Sequence, residues 1–342
     1  MNIGIYANTH GLGYRNETNF FLRHLPAVQM QTVQIAQLTE RAGFHSMWFP
    51  DHVCMPMQSA SAHVANASGT RAYQPRHTML DAAVTMGAVA MSTTRLKLGT
   101  SVLIAPYRNP LSDARQFATV DVLSNGRLLL GVGAGWMAEE FEAIGVPYAE
   151  RAGRTEECIE IYTRCWADDV VNFQGHFYQF HDLSMDPKPL QQPRPPIIYG
   201  GVTPTGARRA ARCCDGFYPI FLDTYADPAR YASLQVIIRR EAEKSKRDLS
   251  QFAMIAVASA RITAHDDPQV RANPRPICSG TAEQVLSDLA RFAAAGYSLV
   301  ICFFDCPSGR MEELEEQIQR FGQEVIPQAR GIVPKGGWKT DL

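Results

Sequence analysis

Short apolar runs recur eight times along the chain, and segments with helical periodicity separate them. Strands that are buried on both faces have near-continuous apolar sequences, and strands that alternate with helices form a parallel sheet. Eight such units in 342 residues predict an α/β fold, a (β/α)8 TIM barrel formed by a single domain over residues 1–342. The predicted strands are residues 2–7, 46–50, 96–105, 127–134, 196–201, 216–221, 253–262 and 297–304.

Three stretches are longer than an ordinary loop between a strand and a helix. Residues 8–25 follow the first predicted strand, residues 52–77 follow the second, and residues 170–195 precede the fifth. Barrel enzymes build their sites from loops at the C-terminal strand ends, so we expect the first two insertions to form walls of a substrate site. The alternative is that they are surface loops without a function.

Charge, hydropathy and cysteine spacing exclude several classes of protein. The chain has 33 Lys and Arg against 34 Asp and Glu, so nucleic acid is not an expected partner. No segment has the pattern of a signal peptide or the length of a membrane span, which predicts a cytoplasmic protein without a membrane partner. The eight cysteines lack metal-binding spacing, so we expect reduced structural thiols and no metal site.

Three glycines occupy alternate positions at the end of the fourth predicted strand, in the stretch GRLLLGVGAGW. The dinucleotide-binding fingerprint needs a glycine where this chain has Trp136, so the stretch does not predict a Rossmann phosphate turn. Alternate residues of a strand share one face, and Gly131, Gly133 and Gly135 would leave that face bare for a flat group. The alternative is that the glycines relieve crowding inside the barrel.

A second glycine turn follows the fifth predicted strand, in the stretch YGGVTPTGARRAARCCDG. Gly200 and Gly201 free backbone N–H groups, and Thr203 or Thr205 caps the helix that follows. A helix N-terminus with free donors can bind an anion. The arginines of this helix lie beyond its first turn, and we expect at least some of them to face solvent.

Five motifs, in this order and spacing, resemble the bacterial luciferase-like oxidoreductase family. They are GFHSMWFPDH, LKLGTSVL, DVLSNGRLLLGVGAGW, PPIIYGG and CCDGFYPI. The resemblance covers nearly the whole chain and is weakest over residues 53–77 and 264–277. Members of this family are TIM barrels that bind FMN or the deazaflavin coenzyme F420. The resemblance therefore implies such a cofactor in the barrel mouth, with Gly133 and Ala134 in one wall.

The resemblance also implies roles for residues at the second and third strand ends. His52, which follows Asp51, matches an acidic–His pair in which the histidine contacts the flavin or acts as acid or base. An imidazole at a strand end can titrate near neutral pH and reach a ligand, although a lone histidine is more often structural. Ser101 and Val102 match a cis peptide that lies behind the cofactor ring.

The choice between the two cofactors depends on positions at which this chain departs from both branches. The resemblance places the cofactor phosphate at Gly200, Gly201 and Thr203. Sugar-phosphate dehydrogenases that use F420 have a glutamate at the position of Trp136, and FMN luciferases have an arginine at the position of Ala134. Trp136 would stack near the ring, line the substrate pocket or serve packing alone.

These features predict a flavin-dependent monooxygenase that uses reduced FMN and O₂ to oxygenate a small organic substrate, with a separate flavin reductase as its partner. One alternative is an F420-dependent oxidoreductase that transfers hydride, and another is a flavin-binding protein without turnover. We also expect a homodimer. Residues 53–77 are predicted to form a mobile lid that excludes water once substrate is bound.

Overall fold

Eight parallel strands close into a barrel in the computed structural model, which describes residues 1–15, 20–63, 73–74, 76–221, 225 and 227–339. The strands are β1 (Asn2–Tyr6), β2 (Leu12–Arg15), β3 (Phe20–Arg23), β4 (Ser46–Phe49), β5 (Lys97–Thr100), β6 (Leu103–Ile104), β7 (Leu128–Gly133), β8 (Val171–Gln174), β9 (Gln179–Leu183), β10 (Ile197–Gly200), β11 (Gly216–Tyr218), β12 (Ile220–Phe221), β13 (Ala253–Ile262), β14 (Ser279–Gly280) and β15 (Leu299–Phe304). The α-helices are α1 (Thr32–Arg41), α2 (Ala82–Ser92), α3 (Pro110–Leu123), α4 (Ala138–Ala143), α5 (Arg151–Ala167), α6 (Pro204–Cys213), α7 (Ala232–Ser245), α8 (Ala282–Ala294), α9 (Met311–Arg320) and α10 (Ile326–Ala329).

The order of the barrel strands confirms the predicted TIM barrel. The order is β1, β4, β5, β7, β10, β11, β13 and β15, and β15 pairs with β1 to close the ring. Two predicted strands are interrupted. The run 96–105 breaks between β5 and β6 at Ser101–Val102, and the run 216–221 breaks at Pro219, which has no N–H to donate to a neighbouring strand.

The insertions lie where the sequence predicted them. After β1 the chain forms the antiparallel hairpin of β2 and β3, and before β10 it forms the hairpin of β8 and β9. Residues 50–81 connect β4 to α2 and bring His52, His63 and Tyr73 to the cavity described below. Residues 64–72 and 75 of the predicted lid lie outside the described residues, so the lid stays a prediction.

Helix α8 has a local sequence signal at each end. Thr281 and Gln284 form a capping box in which each side chain accepts from the backbone N–H of the other. Gly296 follows the last turn with a φ of +94°, a conformation that glycine adopts at little cost. These local signals position α8 directly before β15.

Inward-pointing side chains fill the barrel beneath its C-terminal end. Trp48 of β4 is completely buried, and its Nε1 donates to Ser46 Oγ at 2.8 Å. The indole takes the space beside Gly99 of β5, where a Cβ would lie 2.3 Å from the ring. The residues packed together inside the barrel are Trp48, Leu129, Ile198, Tyr218, Ile255, Val257, Leu299 and Ile301.

Two further observations bear on the expected class of protein. In the part of the chain that the structure describes, no helix is both long enough and apolar enough to cross a membrane. All eight cysteines are free thiols, and the sulfur atoms of the adjacent Cys213 and Cys214 lie 3.9 Å apart.

Candidate active site

A cavity of about 390 Å³ lies at the C-terminal ends of the barrel strands. All the residues predicted to form the site line this cavity, although they come from four segments that are far apart in sequence. They are Asp51, His52, Ser101, Val102, Gly133, Ala134, Trp136, Gly200, Gly201 and Thr203. A parallel barrel brings the C-terminal ends of its strands to one face, so the fold explains why these segments meet.

The glycines at the end of β7 are required by packing against neighbouring protein atoms. A Cβ on Gly131 would lie 1.9 Å from the carbonyl oxygen of Thr100, and one on Gly133 would lie 2.5 Å from Val102. Gly135 has a φ of +82°, which other residues rarely adopt. We expected a bare face for a flat group, but at Gly131 and Gly133 the space is filled by β5 and by the Val102 side chain. Gly133 still borders the cavity.

A buried carboxylate holds His52 in one orientation. The His52 side chain is 5% exposed, and its Nδ1 lies 2.7 Å from Oε2 of Glu140, whose side chain is fully buried. Because a carboxylate only accepts, Nδ1 carries the proton in this pair, and Nε2 is left to exchange a proton with a ligand. The rings of Tyr73 and Trp136 are edge-on to the imidazole, at centroid distances of 5.0 and 6.3 Å.

Glu140 accepts three further hydrogen bonds. The Tyr107 hydroxyl donates at 2.7 Å, and the backbone N–H groups of Val53 and Cys54 donate at 2.6 and 3.2 Å. Burial alone would raise the pKa of Glu140, but the hydrogen bond and charge of His52, together with the other donors, lower it below its ordinary value. The carboxylate is therefore ionised at neutral pH and places a negative charge beside the imidazole of His52.

Asp51 has different partners from those expected. Its carboxylate forms a bidentate ion pair with Arg108, at 2.6 and 2.7 Å, and accepts the N–H of Ile104 at 3.1 Å. The acidic partner of the His52 ring is instead Glu140. These contacts fix β6 and Arg108 against the end of β4. The catalytic role that the acidic–His pair implies for Asp51 stays a prediction.

The cis peptide that the resemblance implied is present between Ser101 and Val102. Ser101 Oγ accepts a hydrogen bond from the Tyr218 hydroxyl at 3.1 Å. The Val102 side chain lies between Gly133 and Gly200, where an added Cβ would come within 2.5 and 2.6 Å of it. The two glycines thus make room for Val102, and its side chain becomes part of the cavity wall.

One end of the cavity, which we call the anion end, is formed by Arg151, Gly201, Thr203 and Arg209. Thr203 is the N-cap of α6, and its Oγ1 accepts the N–H of Gly206 at 3.1 Å. Pro204 has no N–H and the Gly201 N–H donates to the Tyr218 carbonyl oxygen, so within the first helical turn the N–H of Thr205 is the donor without an acceptor in the helix. The helix dipole still gives this terminus a partial positive charge. The arrangement is suited to a phosphate or another anion.

Two guanidinium groups add positive charge to the anion end. Arg209 is 5% exposed and donates to the Tyr199 hydroxyl at 2.8 Å and to Glu156 at 2.9 Å. The Arg151 guanidinium lies 3.8 Å from the centre of the Tyr148 ring. Arg208 and Arg212 are exposed, as we expected of at least some arginines of α6, whereas Arg209 lines the cavity.

The other end of the cavity, which we call the aromatic end, is formed by Tyr6, Leu22, Tyr73, Trp136 and Phe303. These side chains belong to one apolar cluster. The Tyr6 and Phe303 rings pack edge-to-face, with centroids 4.3 Å apart. Trp136 therefore lies in the apolar wall of the cavity as well as beside His52.

Sequence reasoning missed Glu140, Arg151 and Arg209. Acidic residues at the start of a helix and basic residues along one are usually solvated, so their side chains gave no sign of burial. The position of Glu140 could have indicated its role, because it follows the C-terminal end of β7, where barrel enzymes place functional groups. Among the described residues, no cluster of His, Cys, Asp and Glu is arranged to hold a metal ion.

The sequence matches the model of the luciferase-like monooxygenase family over residues 1–320. An uncharacterized protein of Mycobacterium tuberculosis is 35% identical over 185 residues, which make up 54% of this chain and 63% of that protein. This chain thus spans less than two thirds of the length of that relative.

Two relatives with a stated activity match more of the chain. The FMNH(2)-dependent dimethylsulfone monooxygenase of Pseudomonas putida is 27% identical, over 72% of this chain and 77% of that protein. The F420-dependent glucose-6-phosphate dehydrogenase of Amycolatopsis mediterranei is 26% identical, over 88% of this chain and 94% of that protein. The crystal structure of a monooxygenase from Streptomyces bottropensis, 20% identical, has the same fold, with a TM-score of 0.72 over 96% of this chain and 99% of that one.

Proposed function

This chain belongs to the luciferase-like monooxygenase family, and from that premise we propose that it is a flavin-dependent monooxygenase. It takes reduced FMN from a separate reductase and uses O₂ to oxygenate a small organic substrate.

The proposal rests on one arrangement in the cavity. His52, held by the ionised Glu140, faces the same space as the anion end. The anion end can bind the phosphate of a cofactor, and His52 can move a proton at its free Nε2. A proton-transferring group and a phosphate site in one barrel mouth are what flavin chemistry needs from the protein.

The cavity has hydrogen-bond donors and positive charge suited to the phosphate of FMN, and apolar side chains suited to its ring. The first turn of α6, Thr203 and Arg151 would hold the phosphate, and Val102 and Ala134 would line the ring. Bound reduced FMN supplies the electrons with which O₂ is activated. The phosphate site follows β10 rather than the last two barrel strands, where many TIM barrels place it.

The chain's own contribution is proton transfer, orientation and exclusion of water. Glu140 fixes the tautomer and orientation of His52, so Nε2 can take part in proton transfer in the cavity. Asp51 and Arg108 fix the backbone beside this pair. The aromatic end presents mainly apolar atoms, which limits the water that reaches the reacting groups.

An F420-dependent oxidoreductase is the second candidate, because a relative with that cofactor matches 88% of this chain. The anion end would bind either cofactor through its phosphate. Trp136 argues against a sugar-phosphate dehydrogenase, since the resemblance places a glutamate at that position in those enzymes. A bulky apolar indole there favours an apolar substrate over a sugar phosphate.

Anaerobic titration with photoreduced FMN, oxidised FMN and F420 tests the proposal. We expect reduced FMN to bind more tightly than oxidised FMN, and FMN more tightly than riboflavin, which lacks the phosphate. Arg151→Ala should weaken FMN by about tenfold and leave riboflavin unchanged. Arg154→Ala is the matched control, since Arg154 lies on the same helix and pairs with Glu150. Tight binding of F420 with no preference for reduced FMN would overturn the assignment, and binding without oxygenated product would leave a flavin-binding protein.

We further propose that the chain forms a homodimer through the outer face of α2. Val84 and Met91 on this face are 75% and 70% exposed, and the helix contains no charged residue. A Cβ on Gly87 would have no atom within 4 Å, so a second helix could approach closely. Sedimentation of Met91→Glu should show monomers where the wild type shows dimers, and an unchanged dimer would contradict this interface.

A further inference from the structure

We propose that the aromatic end of the cavity binds an uncharged substrate with a planar apolar body and discriminates against substrates that carry a carboxylate, sulfonate or phosphate group. This inference rests on the proposed function, since it names the class of molecule that the monooxygenase takes.

The shape of the aromatic end suits a planar body. Tyr6 and Phe303 are tilted by 69° to each other, and the Trp136 and His63 rings meet at 84° with centroids 5.0 Å apart. Such edge-to-face pairs line a space with ring edges and faces, against which another ring packs favourably. Leu22, 7% exposed, adds an aliphatic surface.

Two of the described cavity-lining residues, Arg151 and Arg209, carry a guanidinium group. Arg209 is engaged with Glu156 and Tyr199, and Arg151 lies over Tyr148. Among the cavity-lining residues that the structure describes, the aromatic end has neither Lys nor Arg. Among the described lining residues, none at the aromatic end would neutralise a buried anionic substrate group, and burying such a group without a counter-charge is costly.

His63 and His10, two of the imidazoles near the aromatic end, do not supply that charge. Burial and the neighbouring His52 lower the pKa of His63 to about 4. Burial, followed by His52 and His77, places the pKa of His10 well below its ordinary value. Both rings are therefore neutral at physiological pH and offer a hydrogen bond at most.

The charge behind His52 is negative, which adds a further barrier to anions. Burial and the charge of Glu140 raise the pKa of Tyr73, so its hydroxyl remains a neutral donor. Tyr73 lies beside His52, with ring centroids 5.0 Å apart. A single carbonyl or hydroxyl on an otherwise apolar substrate is the polar group that these two side chains can meet.

Calorimetric titration with 2-naphthol and 2-naphthoate tests the inference, because the two probes share a ring system and differ in charge at neutral pH. We expect the wild-type protein to bind 2-naphthol at least about tenfold more tightly. Leu22→Lys places an ammonium group at the aromatic end and should reverse the preference. Leu22→Gln, which is polar but uncharged, is the matched control and should keep the wild-type order.

Equal or tighter binding of 2-naphthoate by the wild type overturns the inference, and so does failure of 2-naphthol to bind. The wild-type comparison decides this even where the variant at Leu22 fails to fold. FMN binding, measured on the same samples, separates the two proposals. Loss of FMN binding with the naphthol preference intact would overturn the proposed function alone.

Discussion

Two fully buried carboxylates near the barrel mouth have opposite surroundings. Glu140 accepts four hydrogen bonds, from an imidazole, a phenol and two backbone N–H groups. Asp113, in the first turn of α3, accepts one bond to Oδ2, from the Tyr162 hydroxyl at 3.0 Å, while its Oδ1 has no hydrogen-bond partner. Both side chains are equally removed from water, so the difference lies in the donors.

The charge states follow the donors rather than the burial. Burial opposes ionisation at both sites, yet the donors of Glu140 lower its pKa below the ordinary value. At Asp113 burial outweighs the nearby charge of Arg108 and the Tyr162 hydroxyl, and raises the pKa to about 7. Glu140 can therefore serve as a fixed negative charge for His52, whereas Asp113 changes charge near neutral pH.

Of the variants that test this comparison, His52→Ala should have the largest effect on turnover. In His52→Ala, Glu140 loses one of its four donors and the cavity loses its proton-transferring group. We expect turnover to fall by about 10²-fold or more, with binding of reduced FMN retained. His176→Ala, an exposed histidine on the β8–β9 hairpin, is the control. Wild-type turnover in His52→Ala, measured by product formation, would make His52 a structural residue.

Glu140→Gln keeps the shape of the carboxylate and removes its charge. We expect kcat to fall by about tenfold with KM unchanged and the pH–rate profile to change, because the amide removes the negative charge beside His52. Glu140→Asp, which keeps the charge, should restore the wild-type pH profile in part. An unchanged pH–rate profile in Glu140→Gln would show that the carboxylate acts on the fold alone.

Asp113→Asn should have the smallest effect, and it acts on stability. The folded-state pKa of about 7 lies above the unfolded value of about 3.9, so the unfolded chain loses this proton first and stability falls as pH rises through that window. Asparagine removes this loss. We expect the variant to match the wild type near pH 4 and to be the more stable of the two above pH 7.

Urea unfolding at both pH values measures this effect. Asp169→Asn, at an exposed position, should change neither value. If Asp113→Asn is instead destabilised at alkaline pH, the Asp113 carboxylate is ionised in the folded protein and stabilised by its neighbours, as Glu140 is.

The parts of the fold that local sequence determines were predicted from the sequence. Each barrel strand was recognised because its residues are apolar on both faces, and the ends of α8 because Thr281 and Gly296 have local conformational preferences. The cis peptide at Ser101–Val102 could be predicted only from the family resemblance, because no side-chain pattern in the sequence indicates it. Pro219 was a signal for the second break that the apolar run concealed.

The site could be predicted less completely, because its chemistry depends on contacts across the barrel. Glu140 meets His52 from 88 residues away, and its own helix resembles a solvated one. Arg209 is buried because α6 turns that face toward Tyr199 and α5, which its arginine-rich sequence does not indicate. Asp51 was paired with His52 by adjacency, although neighbouring side chains at a strand end point in different directions.

The contact between Trp48 and Gly99 also constrains the order in which this barrel can evolve. A side chain at position 99 cannot be accommodated while the indole is present, since its Cβ would overlap the ring. Truncating Trp48 alone would empty the barrel centre at a cost of about 3–5 kcal/mol. A descendant with a different residue pair must therefore shrink position 48 first and survive that weakened step before position 99 can grow. The two sites behave as one inherited unit, and a library that randomises either position alone would miss every viable alternative core.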